Sequence, residues 1–166
     1  AATGGTQITA STTITADVTY YAQFTEQSGG DEPVADGDIT WNFSTDDFNS
    51  LGTLTAPTTV NGLSITATAD KTVVIDESNK TIGNITFTHR LKTGGTGNAS
   101  YRTLSFSVTG ACTIEVYCAS ASSATERTIN VYSDTYGGTL LTTLPAATTP
   151  AKQVYEYTGD ATTILM

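Results

Sequence analysis

Short stretches in which apolar and polar residues alternate follow one another along most of the chain. The clearest are Ile85–Leu91, Cys112–Cys118 and Arg127–Ser133. A period of two predicts strands, because successive side chains in a strand point to opposite faces, and no stretch has the 3.6-residue apolar period of a helix. From position 39 onward the pattern predicts nine strands: Ile39–Ser44, Leu63–Ala69, Thr72–Asp76, Ile85–Leu91, Tyr101–Val108, Cys112–Cys118, Arg127–Ser133, Thr139–Leu144 and Gln153–Tyr157.

The fold class follows from these strands and from the residues between them. Asn61-Gly62, Gly94–Gly97 and Gly137-Gly138 provide turn signals, and 36 threonines suit pleated surfaces. Short strands that each bury one face must stack on a second sheet. The sequence therefore predicts an all-β fold for residues 39–166, an antiparallel, jelly-roll-like β-sandwich with almost no helix.

The first 38 residues have a different character. Residues 27–38 are rich in Gly, Asp and Glu and have the composition of a linker. Before them, Ile14-Thr-Ala-Asp17-Val-Thr-Tyr-Tyr21-Ala-Gln-Phe24 resembles the closing strand of an internalin-type B repeat. Residues 1–26 are interpreted as the tail of a repeat-type spacer, and an ordinary extra strand pair is the alternative.

Composition restricts where the protein acts. No apolar run approaches the ~20 residues that span a bilayer, and the first residues lack the hydrophobic core of an export signal. Because the chain begins without Met, we expect it to be a piece of a longer protein with any such signal upstream. A Thr-rich, Lys-poor chain with a pI of about 4.2 is typical of secreted or cell-surface bacterial proteins.

The two cysteines lie in the single predicted strand Cys112–Cys118. At ~3.3 Å per residue their Cα atoms stand roughly 20 Å apart, whereas a disulfide needs ~4.4–6.8 Å. Both share the phase of Ile114 and Val116, so we expect them to be unbridged and to point toward the core. A zinc site has little support, because the chain has one His and no CxxC pair.

Charge is unevenly distributed along the chain. Residues 71–127 hold six cations and four acids, a net charge of +2, whereas the remaining residues hold one lysine and twelve acids, a net charge of −11. The net charge of −9 disfavours nucleic acid as a partner, but a local cationic surface suits an anionic ligand. The candidate ligand-binding residues are its six cations: Lys71, Lys80, Arg90, Lys92, Arg102 and Arg127.

The strand phase places some of these cations. In Ile85–Lys92, Arg90 and Lys92 share the face opposite the apolar residues and stand ~7 Å apart. Arg102 and Arg127 each lie two residues before an apolar residue that shares their face of the predicted strand. We therefore expect each of them at the start of its strand, at the rim of the sandwich. Two interpretations remain open for them: salt bridges to acids such as Glu115 and Glu126, or contacts to ligand carboxylates, which Arg binds through two parallel hydrogen bonds.

Other chemistry-bearing residues have simpler interpretations. His89 alternates with Phe87 and Leu91, so we expect it to face inward, and Trp41 shares phase with Ile39 and Phe43 as a core anchor. A serine or cysteine nucleophile would need a general base, and His89 is the chain's only histidine. Calcium remains an alternative at acids placed near turns, and no other cofactor is implied. These acids are Asp46, Asp47, Asp70, Asp76 and Glu77.

The order of motifs resembles a family of carbohydrate-binding modules, family 77, that is appended to secreted bacterial pectate lyases. The resemblance covers residues 39–160, and its most specific part is a Leu-Lys-x-Gly-Gly segment followed by Arg-x-Leu-x-Phe-x-Val. The matching segments are Trp41-Asn-Phe43, Val60-Asn-Gly-Leu-Ser-Ile65, Arg90-Leu-Lys-Thr-Gly-Gly-Thr-Gly97, Tyr101-Arg-Thr-Leu-Ser-Phe-Ser-Val-Thr-Gly110, Ile114-Glu-Val-Tyr117, Arg127-Thr-Ile-Asn-Val131 and Tyr155-Glu-Tyr-Thr-Gly159.

This resemblance implies a β-sandwich that binds low-ester homogalacturonan, a form of pectin, through basic side chains and without calcium. Lys92, Arg102 and Arg127 fall in matched segments, and Lys71 and Lys80 lie in a lysine-bearing stretch. One departure is the C-terminal end, where the family has a last strand of Gly-Ile-Asn-Ile-Tyr character and this chain has Ile164-Leu-Met166.

The expected function is therefore a non-catalytic, monomeric module, tethered to a catalytic domain, that targets the attached enzyme to the plant cell wall. Its expected partner is an acidic plant polysaccharide, with neither nucleic acid nor membrane. The alternative is a structural stalk or adhesin module of a cell-surface protein, in which the cations form only rim salt bridges.

Overall fold

The computed structural model describes residues 38–166. The predicted spacer tail, residues 1–26, and all but the last residue of the predicted linker, 27–38, lie outside this part. Strand accounts for 51% of the described structure and helix for 3%, which confirms the all-β prediction. The elements are α1 Asp46–Asn49, β1 Thr53–Leu54, β2 Thr58–Val60, β3 Leu63–Ile65, β4 Val73–Ile82, β5 Ile85–Lys92, β6 Leu104–Val108, β7 Cys112–Cys118, β8 Arg127–Ser133, β9 Thr139–Ala146, β10 Ala151–Tyr157 and β11 Thr162–Leu165.

The strands form three antiparallel sheets. The largest has six strands in the order β2-β3-β6-β11-β8-β9, the second has the order β1-β4-β5, and the third pairs β10 with β7. Most neighbours in these sheets are distant in sequence. The loops that join the sheets therefore bring separate parts of the chain together.

Two apolar clusters fill the space between the sheets. The first contains the buried Ile65 and Val73, and the second contains the buried Val131 and Ile164. Phe106 of β6 packs against both clusters, so the six-stranded sheet contributes to the whole core. The two smaller sheets cover this common sheet, which gives the predicted sandwich.

One predicted strand is absent. Residues 39–44 form no strand, because the Asn42 side chain accepts a hydrogen bond from the backbone of Ser44 at 2.9 Å and Thr45 N–H bonds back to Asn42 at 3.0 Å. Such local bonds offer the backbone an alternative to a ladder. The turn leads into the single helical turn α1, whose Phe48 is buried in the first cluster.

Three strands were not predicted: β1, β2 and β11. The last of these, Thr162–Leu165, lies between β6 and β8 in the centre of the large sheet. It begins only five residues after β10 ends, and four residues give too short an alternation to detect. Ile164, which is fully buried, is its contribution to the core.

The β4–β5 hairpin is longer than its apolar pattern indicates. Only the first half of β4 alternates, through Val73 and Ile75, and the polar second half still pairs with β5 beyond a bulge between Glu77 and Lys80. Gly83 turns the hairpin with a positive φ of 61°, a conformation that favours glycine. The distal half has few buried residues, which explains its polar sequence.

The cysteines are unbridged, as expected. Both are free thiols at the two ends of the single strand β7, and burial raises the pKa of each above its usual value. Cys112 packs against the second cluster. Within the described residues, no helix has the length and apolar character to cross a membrane.

Candidate functional site

Arg90 and Lys92 lie side by side on the outer face of β5, as the strand phase predicts. Asp76 stands directly opposite Arg90 on β4 and binds both cations. Its Oδ1 accepts from Arg90 Nε at 2.8 Å and its Oδ2 accepts from Lys92 Nζ at 2.7 Å. The arginine and lysine side chains remain 46% and 37% exposed, so both are still accessible to a ligand.

The pKa of Asp76, the carboxylate that both cations share, is strongly lowered. Hydrogen bonds from Arg90 and from Lys92 lower the pKa of Asp76 from 3.8 to about 2. Because the folded pKa lies below the unfolded one, these ion pairs stabilise the fold fully above about pH 4, and their contribution is lost as pH falls through about 2. At an exposed site the contribution is about 1 kcal/mol or less.

We expect Asp76→Asn to lose less stability than the unchanged protein when pH falls from about 5 to about 2, because the variant has no carboxylate to protonate there. Melting temperatures measured by circular dichroism over this range provide the test. Glu77→Gln is the matched control, since Glu77 is an exposed neighbour without a cationic partner in the described residues. Parallel curves for Asp76→Asn and the unchanged protein would contradict the assignment.

Arg102 lies where β5 connects to β6, just outside the strand that was predicted to contain it. A tight turn precedes it, with Asn98 and Tyr101 joined by backbone hydrogen bonds, and its own φ is +58°. Its backbone N–H donates to Thr66 at 2.7 Å, which fixes this conformation against the end of β3. Left-handed φ values in non-glycine residues are costly, and they cluster at functional sites.

The Arg102 side chain is half-buried beneath residues 94–97, the glycine loop that follows β5. A Cβ built on Gly95 would stand 2.6 Å from Nη1, and one on Gly94 would stand 3.6 Å from Nη2. The guanidinium makes no hydrogen bond or ion pair within residues 38–166, and its Nε is buried without a partner. Glycine at position 95 therefore leaves the space that the guanidinium occupies, whereas a side chain at position 94 would make an ordinary contact with it.

The glycine loop is anchored by a residue that is distant in sequence. Tyr136 Oη donates to the carbonyl of Gly97 at 2.7 Å, and the Tyr136 ring packs on Tyr132 with centroids 5.4 Å apart. Gly97 itself abuts the carbonyl of Arg102 so closely that a side chain would not fit. The loop above the guanidinium is thus held in place by an aromatic side chain from the β8–β9 connection.

Asp76, Arg90, Lys92, Arg102 and the loop 94–97 are grouped here as the cationic edge. Gly94 and Gly95, which lie against the half-buried Arg102 guanidinium, follow Lys92 by two and three residues, so this loop links Arg102 to the strand that carries the paired cations. The edge carries three cations and one carboxylate. Its net charge of +2 contrasts with the −9 of the whole chain.

The other predicted cations lie away from these contacts. Arg127 is exposed at the start of β8 opposite Ala146, Lys71 is exposed in the turn before β4, and Lys80 lies on β4 opposite Phe87. None has an ion pair within the described part of the chain. The structure therefore joins two of the six predicted cations through Asp76, places Arg102 against the loop that follows them, and leaves the other three separate.

Of the two interpretations left open for Arg102 and Arg127, the salt bridges to Glu115 and Glu126 are not formed within the described residues. Glu115 pairs instead with Lys152 on the neighbouring strand β10, with Nζ to Oε1 at 2.7 Å. Glu126 binds neither arginine. The partner that the sequence analysis did miss is Asp76, which was considered only as a calcium ligand.

Trp41 lies against the interior, as predicted, whereas His89 is only partly buried. Trp41 packs against the first cluster, with its ring centroid 4.8 Å from that of Phe106, and its Nε1–H donates to the carbonyl of Asn61. His89 is half-buried, and its Nδ1 lies 3.1 Å from the hydroxyl of Thr88. No carboxylate of the described residues bonds to this imidazole, so it lacks the orienting acid of a catalytic triad.

The acids considered for calcium are dispersed. Asp46 and Asp47 accept from Asn49 and Asn61, and Asp76 belongs to the cationic edge. No three metal-binding side chains assemble anywhere in residues 38–166.

The chain was compared with known proteins. No protein-family model matches it. A search of curated proteins also finds no match.

Proposed function

We propose that this chain is a non-catalytic carbohydrate-binding module that binds pectin, as low-ester homogalacturonan, through the cationic edge. The observation that carries the proposal is Arg102, a half-buried guanidinium with no acceptor among the described residues. A buried polar group without a partner costs free energy, and a charged one costs more. A carboxylate supplied by a ligand would offset that cost.

The type of ligand follows from the chemistry of these groups. A guanidinium presents a planar fork that matches a carboxylate, and Lys92 adds a point charge. Each unesterified residue of homogalacturonan carries one carboxylate, so a chain of them offers repeated partners to cations spaced along the edge. Methyl esterification removes this charge, so the low-ester form is the expected ligand.

The imidazole of His89 hydrogen-bonds to the hydroxyl of Thr88, and no carboxylate among the described residues orients it, which supports a binding role over catalysis. We further propose that the module is monomeric, is secreted or displayed at a bacterial cell surface, and targets an attached enzyme to the plant cell wall. Its overall negative charge disfavours nucleic acid and anionic membranes as partners.

The second candidate is a structural stalk or adhesin module without a glycan ligand. The observation that favours it is the Asp76 bridge, which already satisfies part of the hydrogen-bonding capacity of Arg90 and Lys92. Arg102 distinguishes the two functions, because a purely structural module has no use for a half-buried cation that has no partner among residues 38–166.

We expect affinity gels with low-ester pectin to retard the protein, and we expect gels with high-ester pectin, xylan or cellulose to retard it weakly or not at all. Surface charges are screened over ~8 Å at physiological ionic strength, so retardation should fall as salt rises from about 50 to 500 mM. The measurement is migration relative to a non-binding protein of similar size. Salt-independent retardation, or equal retention by neutral glucans, would contradict the proposal, and no retention on any gel would favour the stalk.

A further inference from the structure

A concave surface lies at the tip of the β4–β5 hairpin and includes none of the residues of the cationic edge. It encloses about 280 Å³ and is lined by Ile82, Gly83, Asn84, Ile85, Tyr117 and Lys152. The hairpin tip forms one wall, and the outer face of the β7–β10 sheet forms the other. We call this surface the hairpin cleft. Its volume is at the lower end of small-molecule sites, which suits a single ring.

The aromatic wall of the cleft is fixed in position. Tyr117 and Lys152 are directly opposite each other in the β7–β10 ladder, so their side chains project from the same face. Phe87 of the hairpin packs on the Tyr117 ring with centroids 5.3 Å apart and an interplanar angle of 50°. The hairpin therefore sets the orientation of the Tyr117 ring.

Lys152, which lines the cleft, forms an ion pair with Glu115, which lies beside the lining residues. Lys152 Nζ donates to Glu115 Oε1 at 2.7 Å, and Tyr117 Oη lies 3.5 Å from the other oxygen of the same carboxylate. The bond to Glu115 raises the pKa of Lys152, so the ammonium stays charged. Both partners are more than 40% exposed, and so can offer donors and acceptors to a ligand.

Apolar surface completes the cleft. Ile85 is 42% exposed at the hairpin tip, where nothing in the described structure covers it. Contact with a ligand would remove this apolar surface from water, which favours binding.

We infer that the hairpin cleft binds one neutral pyranose ring. A pyranose has an apolar C–H face that fits an aromatic ring and isoleucine side chains, and its hydroxyl rim needs both donors and acceptors, which Lys152 and Glu115 supply. A uronate fits less well, because its carboxylate would stand beside that of Glu115. The inference is independent of the proposed pectin site, since it uses none of the residues of the cationic edge.

The test is an NMR titration of the ¹⁵N-labelled full chain with methyl β-galactopyranoside, methyl β-glucopyranoside and methyl β-xylopyranoside, compared with sodium galacturonate. We expect at least one neutral glycoside to shift the amides of residues 82–85, Tyr117 and Lys152, with a dissociation constant on the order of 1 mM, and to leave Arg102 unmoved. The shifts should persist at high salt. Stronger shifts from galacturonate, or none from any neutral glycoside, would overturn the inference.

Variants separate the cleft from general effects on folding. Tyr117→Ala should weaken binding of the active glycoside by about tenfold or more, whereas Tyr117→Phe, which keeps the ring, should change it little. Ile85→Glu should also abolish binding, because it places a charge in the cleft. Leu140→Glu is its matched control, since Leu140 is a 52% exposed residue of β9 outside the cleft. Full binding by Ile85→Glu, or equal loss from Leu140→Glu, would overturn the inference.

Discussion

Replacement of Arg102 by alanine is expected to reduce affinity for low-ester pectin by about tenfold or more and to leave the melting temperature unchanged or slightly raised. A charge-assisted contact to a guanidinium is worth about 1.5–3 kcal/mol, which corresponds to a factor of ten to a hundred. The same guanidinium makes no bond within the described residues, so its removal leaves no partner unsatisfied. Isothermal titration calorimetry and thermal melts measure the two effects.

Two further variants test whether the geometry of the Arg102 side chain matters as well as its charge. Arg102→Lys keeps the charge but loses the fork, so it should recover only part of the affinity. Gly95→Ala should also weaken binding, because the added methyl group would stand 2.6 Å from Nη1 and displace the guanidinium. Full affinity in both Arg102→Ala and Gly95→Ala would remove Arg102 from the site.

Arg127→Ala is the comparison for Arg102→Ala, because Arg127 is an arginine with an exposed side chain rather than a half-buried one. Its removal should cost little stability. A loss of pectin affinity as large as that of Arg102→Ala would mean that the site extends from the cationic edge to the start of β8. Little loss would limit the site to the edge.

The fold class and several strand positions could be predicted from alternation alone, because this sandwich buries one face of most strands. The strands β7 and β8 have the predicted bounds, and β5 extends one residue further. The failures have local causes. The Asn42 side chain turns residues 39–44 away from a strand, and the distal half of β4 is polar because it projects beyond the core.

The candidate site was less predictable, because its geometry depends on residues that are far apart in sequence or that break the strand phase. Strand phase placed Arg90 and Lys92 on one outer face, but it could not show that the register brings Asp76 between them. Likewise, the phase of Arg102 relative to Leu104 predicted an inward-facing strand residue. The observed φ of +58° instead lets it fold beneath the glycine loop, a position that alternation cannot represent.

Removal of the Asp76 carboxylate and removal of the Lys92 ammonium should change pectin affinity in opposite directions. Asp76 competes with a ligand carboxylate for Arg90 and Lys92, so Asp76→Asn should raise affinity by about threefold to tenfold and steepen its dependence on salt. Lys92→Ala should lower affinity by about tenfold. Each single variant should shift stability by about 1 kcal/mol or less, because the bridge is exposed.

The opposite signs separate a binding surface from a structural bridge. If the bridge served only the fold, both variants would lose stability by similar amounts and neither would change pectin retention. If the edge binds pectin, Asp76→Asn gains affinity although it loses a stabilising contact, a combination that general destabilisation does not produce. The double variant should show non-additive affinity, since the two groups are in contact. Reduced pectin affinity in Asp76→Asn, with its fold intact by circular dichroism, would contradict the role assigned to the edge.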